Sequence, residues 1–278
     1  MSTEILSGVA GSARRVQSIY TGVGGSARKV AKVYTGVNGV ARLSWESYSP
    51  EPPPLNPVFG ENSWEAIGAA IASDRIPSTW AVGDEKEITL TTGHVTTLQI
   101  YGIKHDDLPG GGKASFTLGM KYLGWWRQHM NAIHINTGGF AASAMSAWLS
   151  GWVWNQLPAS LRAIVKPAIK RTSAGGMSSV ITADELPIFL FSEVEVFGTA
   201  TQSFAGEGVR YEAFERGLTG IIKREHNGGG LVREWWLRSP AILELFADGY
   251  GFCTVNANGA ISRVAAGLNR DFCFGVCI

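Results

Sequence analysis

The chain has 278 residues, 45% of them apolar and 10% aromatic, enough to bury one large core with an appendage. A net charge of +1 excludes a nucleic-acid binder that works through a global positive field. The charge is uneven, however: residues 1–48 hold six Lys or Arg against Glu4 and Glu46, a balance of +4, and the rest carries −3.

The start, MSTEILSGVAGSARR, lacks a basic stretch followed by an apolar core, so no signal peptide is expected. Three related units follow with a period of 14: GVAGSARRVQSIYT from Gly8, GVGGSARKVAKVYT from Gly22 and the truncated GVNGVARLSW from Gly36. Gly24-Gly25 and Asn38-Gly39 accept the positive φ of a tight hairpin turn, and the residues between turns are rich in Val, Tyr, Ile and Thr. The pattern predicts a small antiparallel β-meander over residues 1–46 that reverses every 14 residues. Too small to hold a core alone, it reads as an assembly or oligomerising module. A basic solvated arm is the plainer alternative. Pro50, Pro52, Pro53, Pro54 and Pro57 then mark residues 47–58 as an extended linker.

From residue 59 the pattern is mixed α and β. Ser63 caps a helix with Trp64, Ile67, Ala70 and Ile71 on one face. EKEITLTT and TTLQIYGI read as strands around Gly93. Met145, Trp148, Leu149 and Trp152 define a second helix whose apolar side is core. A third helix is expected over Leu157–Lys170, begun at Pro158 and closed near Pro167. ELPIFLFSEVEVFG and EWWLRSP read as strands, FCTVNANGAISRV as a hairpin around Asn258-Gly259, and DFCFGVCI as a closing strand. Between Arg127 and Arg162 there is no Asp, Glu, Lys or Arg, but Ser, Asn, Gln and Pro interrupt the apolar run. A membrane span needs about 20 predominantly apolar residues, so a buried helix without membrane insertion is the reading.

Candidate chemistry is sparse. Cys253, Cys273 and Cys277 lack ligand spacing and read as small buried hydrophobes. His105, Asp106 and Asp107 stand beside a Gly run that lacks the Lys-Ser/Thr ending of a phosphate loop, so both aspartates are expected to bond turn amides. His129 and His134, five apart, are a poor helical metal pair. Glu193 and Glu195 would share one face of a strand, a weak acid–base pair. Glu207, between glycines, reads as a turn residue that satisfies backbone donors. In EWWLRSP one tryptophan is expected in the core, and Arg238 to be buried against a carboxylate.

The blocks WAVGDEKEITL, HDDL, GKASFTLG, NTGGF, FLFSEVEVFG, WWLRSP, FCTVN and the terminal GVCI occur in an order that resembles an uncharacterised domain family of phages and prophages, across residues 59–278. YTGVNGVARL, from Tyr34, resembles a short module at the head of phage tail proteins. The family is distantly similar to the C-type-lectin-like and formylglycine-generating-enzyme-like fold, in which a short antiparallel sheet near the C-terminus presents exposed side chains. Some members of that fold resemble targets of diversity-generating retroelements.

The resemblance implies an α+β, C-type-lectin-like binding head with a short antiparallel C-terminal sheet and flanking helices. It implies a tail-associated receptor-binding protein, in the virion and not an enzyme, that recognises a host-surface glycan or protein. Other tail proteins and sister chains, a trimer favoured, would be its partners, with no nucleic acid and no cofactor. The two cysteines of DFCFGVCI would stand about 13 Å apart along a strand at about 3.3 Å per residue, too far to share a metal as the enzyme requires. The Glu-Pro-Asn and Trp-Asn-Asp motifs of calcium lectins are absent. The expected contact residues are Tyr250, Thr254, Asn256, Asn258, Ser262, Arg263, Asn269, Arg270 and Asp271, chosen for turn position and exposure. A ligand-free structural tail component, and a glycan-acting enzyme using His105/Asp106/Asp107 or Glu193/Glu195, are the rivals.

Overall fold

The computed structural model describes residues 54–278 except 125, 226–229 and 243–249, and six strands within residues 1–53. The chain divides into two compact units, Met1–Pro54 and Leu55–Ile278.

In the first unit the strands are β1 (Leu6–Val9), β2 (Ser12–Arg15), β3 (Ile19–Val23), β4 (Ser26–Val30), β5 (Lys32–Val37) and β6 (Val40–Glu46). They pair as three separate two-stranded antiparallel sheets, β1-β2, β3-β4 and β5-β6. The innermost partners are Val9 with Ser12, Val23 with Ser26 and Val37 with Val40, so in each repeat only two residues separate the paired strands. This corrects the expectation of one continuous meander. A two-residue loop needs only a short strand on each side, so the stretch between turns is divided between neighbouring hairpins. The turn dipeptides themselves, and linker residues 47–53, lie outside the described residues. The last linker residues belong to the second unit: Leu55 packs on its core, and the Asn56 carbonyl accepts from Trp80 Nε1 at 3.1 Å.

The second unit opens with α1 (Trp64–Ala72), where the Ser63 hydroxyl accepts from the Ala66 amide at 3.1 Å and Trp64, Ile67 and Ala70 are buried, as the sequence leads one to expect. Strands β7 (Glu85–Thr89) and β8 (Val95–Ile103) reverse at Gly93, and β9 (Phe116–Met120) pairs antiparallel with β8. The second helix is three consecutive segments, α2 (Ala144–Trp148), a π-helical turn (Leu149–Val153) and α3 (Trp154–Gln156). The extra residue in the π turn rotates the apolar face. Met145, Leu149 and Val153 are buried, whereas Trp152, expected in the core, is 38% exposed.

The third helix is only α4 (Ala159–Arg162). Proline disfavours α geometry in the residue before it, and Lys166 instead donates its amide to the Cys277 carbonyl at 2.8 Å. The chain then enters β10 (Ala168–Gly175), which pairs with β11 (Ser178–Leu186). After the short β12 (Phe189–Leu190) comes α5 (Glu193–Phe197), where a strand is expected. Ser192 and Glu195 form a reciprocal capping box, and Gly198 ends the helix at φ 84°. Then follow α6 (Glu212–Glu215), β13 (Trp235–Pro240), β14 (Gly251–Val255), β15 (Ile261–Ala265), β16 (Asp271–Phe272) and β17 (Phe274–Cys277).

Two sheets organise the unit: an antiparallel five-stranded sheet in the order β12-β17-β9-β8-β7, and a four-stranded sheet in the order β15-β14-β13-β16. The closing segment is thus shared between two sheets rather than forming one strand. Gly119 and Gly275 face each other across β9 and β17 because rings lie over both. A Cβ on Gly119 would stand 2.5 Å from the Tyr101 ring, and one on Gly275 would stand 2.7 Å from Phe189. Tyr101, Phe191, Tyr211 and Phe214 form a buried aromatic cluster, with Tyr101 stacked on Phe191 at 5.0 Å. The result is a mixed α/β unit made mostly of sheet with a few short helices. Among the described residues no helix is long and apolar enough to cross a membrane.

Candidate functional site

The polar residues singled out in the sequence fall into three places. The first is a buried ionic cluster. Both tryptophans of WWLRSP are fully buried, and so is Arg238, whose β-strand position aims it at the capping helix α5. Its guanidinium grips Glu195 with both terminal nitrogens, one at 2.8 Å, and donates to the carbonyls of Leu190 at 2.9 Å and Glu207 at 2.7 Å. The expected buried carboxylate partner is therefore Glu195, so Glu195 is not free for acid–base work. Lys170, also buried, donates to Glu195 at 2.6 Å, to Asp106 at 2.7 Å and to the Tyr211 hydroxyl at 2.9 Å.

Asp106 corrects the expectation of a turn-bonding aspartate: it is buried and accepts from Lys170, Tyr211 and Thr117. Burial opposes its ionisation, but Lys170 and three hydrogen bonds hold its carboxyl far below the ordinary range. Asp107 behaves differently, pairing at the surface with Lys113 at 3.0 Å and Arg171 at 3.4 Å. Glu207 accepts from the Ser173 amide at 2.8 Å and bonds the Ser239 hydroxyl, which matches the expected role of a carboxylate that satisfies a backbone donor. Around two cations, Lys170 and Arg238, Asp106 and Glu195 already balance the charge. Glu207 is a third carboxyl, and burial pushes it up to about 7. Glu193, expected to share a strand face with Glu195, instead caps the segment after α5. Its carboxylate accepts from the amides of Thr201 and Gln202 and from the Ser203 hydroxyl at 2.7 Å.

A cleft of about 90 Å³ reaches this cluster between His105, Asp107, Lys113, Arg171 and Val209. Burial lowers the pKa of His105, which stacks on Tyr211 at 4.0 Å. The three cysteines are buried and free, as expected of small hydrophobes. Among the described residues no group of three or more His, Cys, Asp or Glu is placed to hold a metal ion.

The second place is the C-terminal sheet with the nine expected contact residues. The hairpin around Asn258-Gly259 forms as expected, with Gly259 at φ 80°. Asn256 shapes it from within, its side-chain oxygen accepting from the amides of Asn258 at 2.9 Å and Ala260 at 3.0 Å. Asn258 is exposed, while Tyr250, Ser262 and Arg263 are half-buried. Arg263 bonds Gln202.

Two of the nine contradict their choice as exposed residues. Thr254 is fully buried and donates to Glu234 at 2.8 Å, because it belongs to a central strand. Asp271 is 1% exposed, with Arg127 Nε 3.5 Å away, and burial lifts its carboxyl to about 6. Arg270 is half-buried and donates to Glu234 at 2.5 Å, and Asn269 is exposed. Nor do the nine form one face. Ser262 and Arg263 lie on edge strand β15, while Asn269 to Asp271 lie at the opposite edge, three strands or about 14 Å away.

The third place was hidden from the sequence reading. Trp152 on the π turn stacks on Trp148 at 5.2 Å and 12°, and Trp126 meets Trp152 edge-on at 4.8 Å. His94 lies 4.9 Å from Trp126, and Trp148 meets Phe272 of β16 at 5.2 Å. Gln128 and Arg270 exchange backbone hydrogen bonds at 3.0 and 3.1 Å, which sets this shelf beside Asn269. The available signal was Gly151 preceding Trp152, a residue that favours neither a regular helix nor a packed face.

Fold and site together define a mixed α/β domain with an internally neutralised ionic core, a turn-rich C-terminal sheet and a tryptophan shelf. A domain family of unknown function, DUF6273, matches residues 119–271, more than half of the chain, and the chain belongs to that family. The matched segment runs from β9 to β16 and contains the shelf, Lys170, Glu195, Glu207, Arg238 and the hairpin. No curated protein and no solved structure matches the chain.

Proposed function

We propose that the chain is a non-enzymatic receptor-binding protein of a phage or prophage tail. Residues 1–46 act as the assembly module, and a C-type-lectin-like head recognises a host-surface ligand through its C-terminal region. The resemblance of the ordered blocks supplies the biological setting. The observation that carries the binding reading is the contrast within one hairpin. Every residue of β14 is buried, while Ala257, Asn258 and Ala260 at the turn are exposed. Side chains there can change without touching the core, which suits a recognition surface open to variation, including variation by a retroelement. The ionic cluster supports the same reading, because the hydrogen bonds of Arg238, Lys170, Glu195 and Asp106 are made to groups of the protein itself.

The test is adhesion of the fluorescently labelled full chain to candidate host cells. Saturable binding is expected, with Asn258→Asp and Asn269→Ala each weakening it while the melting temperature stays within about 2 °C. Absence of saturable binding to any candidate host, or release of envelope fragments that stops on replacing Asp106, would overturn the reading.

A further inference from the structure

We infer that the Trp126–Trp148–Trp152 shelf is a binding platform for a neutral glycan. The inference rests on the receptor-binding reading only for where that glycan would be found, and it names a ligand chemistry and a surface that the hairpin does not supply.

Exposure is the first argument. A helix that buries Met145, Leu149 and Val153 could bury its indole as well, and burial of a large apolar side chain is favourable. Here the π turn between Trp148 and Trp154 brings Trp152 outward, to 38% exposure, where Trp126 and Trp148 border it within 4.8 and 5.2 Å. Single exposed apolar residues are ordinary on protein surfaces, but here two half-buried indoles packed on the core hold the exposed Trp152 in a rigid aromatic surface. Irregular π turns inside helices recur at such places.

The rim decides the ligand class. Arg127 is half-exposed and donates to the Asn269 carbonyl at 3.3 Å, and Asn269 itself is exposed. Hydrogen-bonding groups therefore flank an aromatic floor. The arginines bordering this side are matched by carboxylates: Arg127 by Asp271 at 3.5 Å, Arg270 by Glu234 at 2.5 Å and Arg233 by Glu225 at 2.7 Å. A stacking surface for single-stranded nucleic acid combines its aromatics with an excess of positive charge, and these three paired arginines supply none. An anionic lipid surface asks for the same excess. A neutral pyranose fits what is present. Its C–H face packs on an indole while its edge hydroxyls exchange hydrogen bonds with the exposed Asn269 amide and with a guanidinium paired to Asp271.

The experiment titrates the full chain with neutral hexasaccharides of β-1,4-glucose, β-1,4-N-acetylglucosamine and α-1,4-glucose, read by calorimetry and by tryptophan fluorescence. Saturable binding with a fluorescence change is expected for at least one of them. Trp152→Ala is expected to weaken that binding at least about five-fold, the worth of one aromatic contact. Trp152→Tyr, which keeps a ring and guards against loss of folding, should stay within about three-fold of the parent.

Four results would overturn the inference. These are no saturable binding of any hexasaccharide, unchanged binding by Trp152→Ala, binding only to heparin or anionic vesicles that salt abolishes, or a Trp152→Ala change in oligomeric mass without a change in saccharide affinity. The last would make the shelf a contact between copies. Host-cell adhesion together with any of these four results removes the shelf and leaves the receptor-binding reading standing. Hexasaccharide binding without adhesion to any host does the reverse.

Discussion

Glu207 is a buried carboxyl whose charge the fold tolerates poorly. Its carboxyl is pushed from an ordinary 4.5 up to about 7 by burial, while Ser239 and the Ser173 amide only partly offset that push. In that interval the folded chain binds more protons than the unfolded one, so this group lowers stability as pH rises from about 4.5 to about 7, and the full loss persists above. The shift corresponds to about 3 kcal/mol. Asp271, raised to about 6, acts in the same direction, whereas half-buried His105, with its lowered pKa, opposes both. The difference between variant and parent therefore isolates Glu207 better than either profile alone. Glu207→Gln keeps an acceptor for Ser173 and a partner for Ser239 and carries no charge. Urea unfolding is expected to show the variant gaining on the parent by about 2–3 kcal/mol between pH 5 and pH 8. A constant difference across that range would mean that Glu207 ionises normally in the folded chain. The sequence placed Glu207 in a turn and Arg238 against a carboxylate, since a lone buried charge is costly. It held nothing to say that the carboxylate is Glu195, because that pairing joins residues 43 apart.

Among the elements, α5 teaches most about what was legible. FLFSEVEVFG alternates well enough to read as one strand, but Ser192 followed by Glu195 three residues on, with Gly198 at the end, is also the signature of a capped helix. Local capping prevailed, since Ser192 satisfies the Glu195 amide at 3.1 Å and the Glu195 side chain satisfies the Ser192 amide at 3.0 Å. Ser192 also donates to the Glu207 carbonyl at 2.9 Å, so the cap ties α5 to the ionic cluster. Ser192→Ala is expected to cost about 1–2 kcal/mol, the loss of a cap and a buried bond. A melting point lower by about 2–8 °C would register that loss, and an unchanged one would mean that the cap carries none of the helix. Elements with one dominant signal are legible in the sequence: Ser63 with α1, Gly93 between β7 and β8, and Asn258-Gly259 in its hairpin. Where tertiary pairing competes with pattern, reading by period failed. Val165 to Lys170 continues a helical pattern, yet Lys166 pairs with Cys277 and β10 pairs with β11. The nine contact residues show the same effect, because sequence neighbours such as Arg263 and Asp271 sit at opposite edges of one sheet.

At the scale of the whole molecule, the two units differ in how they can be stable. The unit from Leu55 has its own extensive core, whereas Met1–Pro54 holds three hairpins that form separate two-stranded sheets. An isolated two-stranded hairpin is marginal in water, and each of these keeps open outer edges among the described residues. Near-identical repeats with open edges are suited to pairing between copies, which ties their stability to chain concentration. Charge works against this, since each copy contributes +4 from residues 1–48, so salt should favour assembly by screening the repulsion. Light scattering coupled to size exclusion is expected to give the full chain a three-chain mass, held or strengthened at 0.5 M salt by that screening. A fragment of residues 55–278 should elute at one-chain mass and melt cooperatively. A single-chain mass for the full chain at all concentrations would reduce the repeats to a basic solvated arm, and a multimeric fragment would move assembly into the head. On the proposed receptor-binding reading, joining three chains through the repeats would raise the effective concentration of each second contact, so host-cell adhesion is expected to weaken when residues 1–54 are removed.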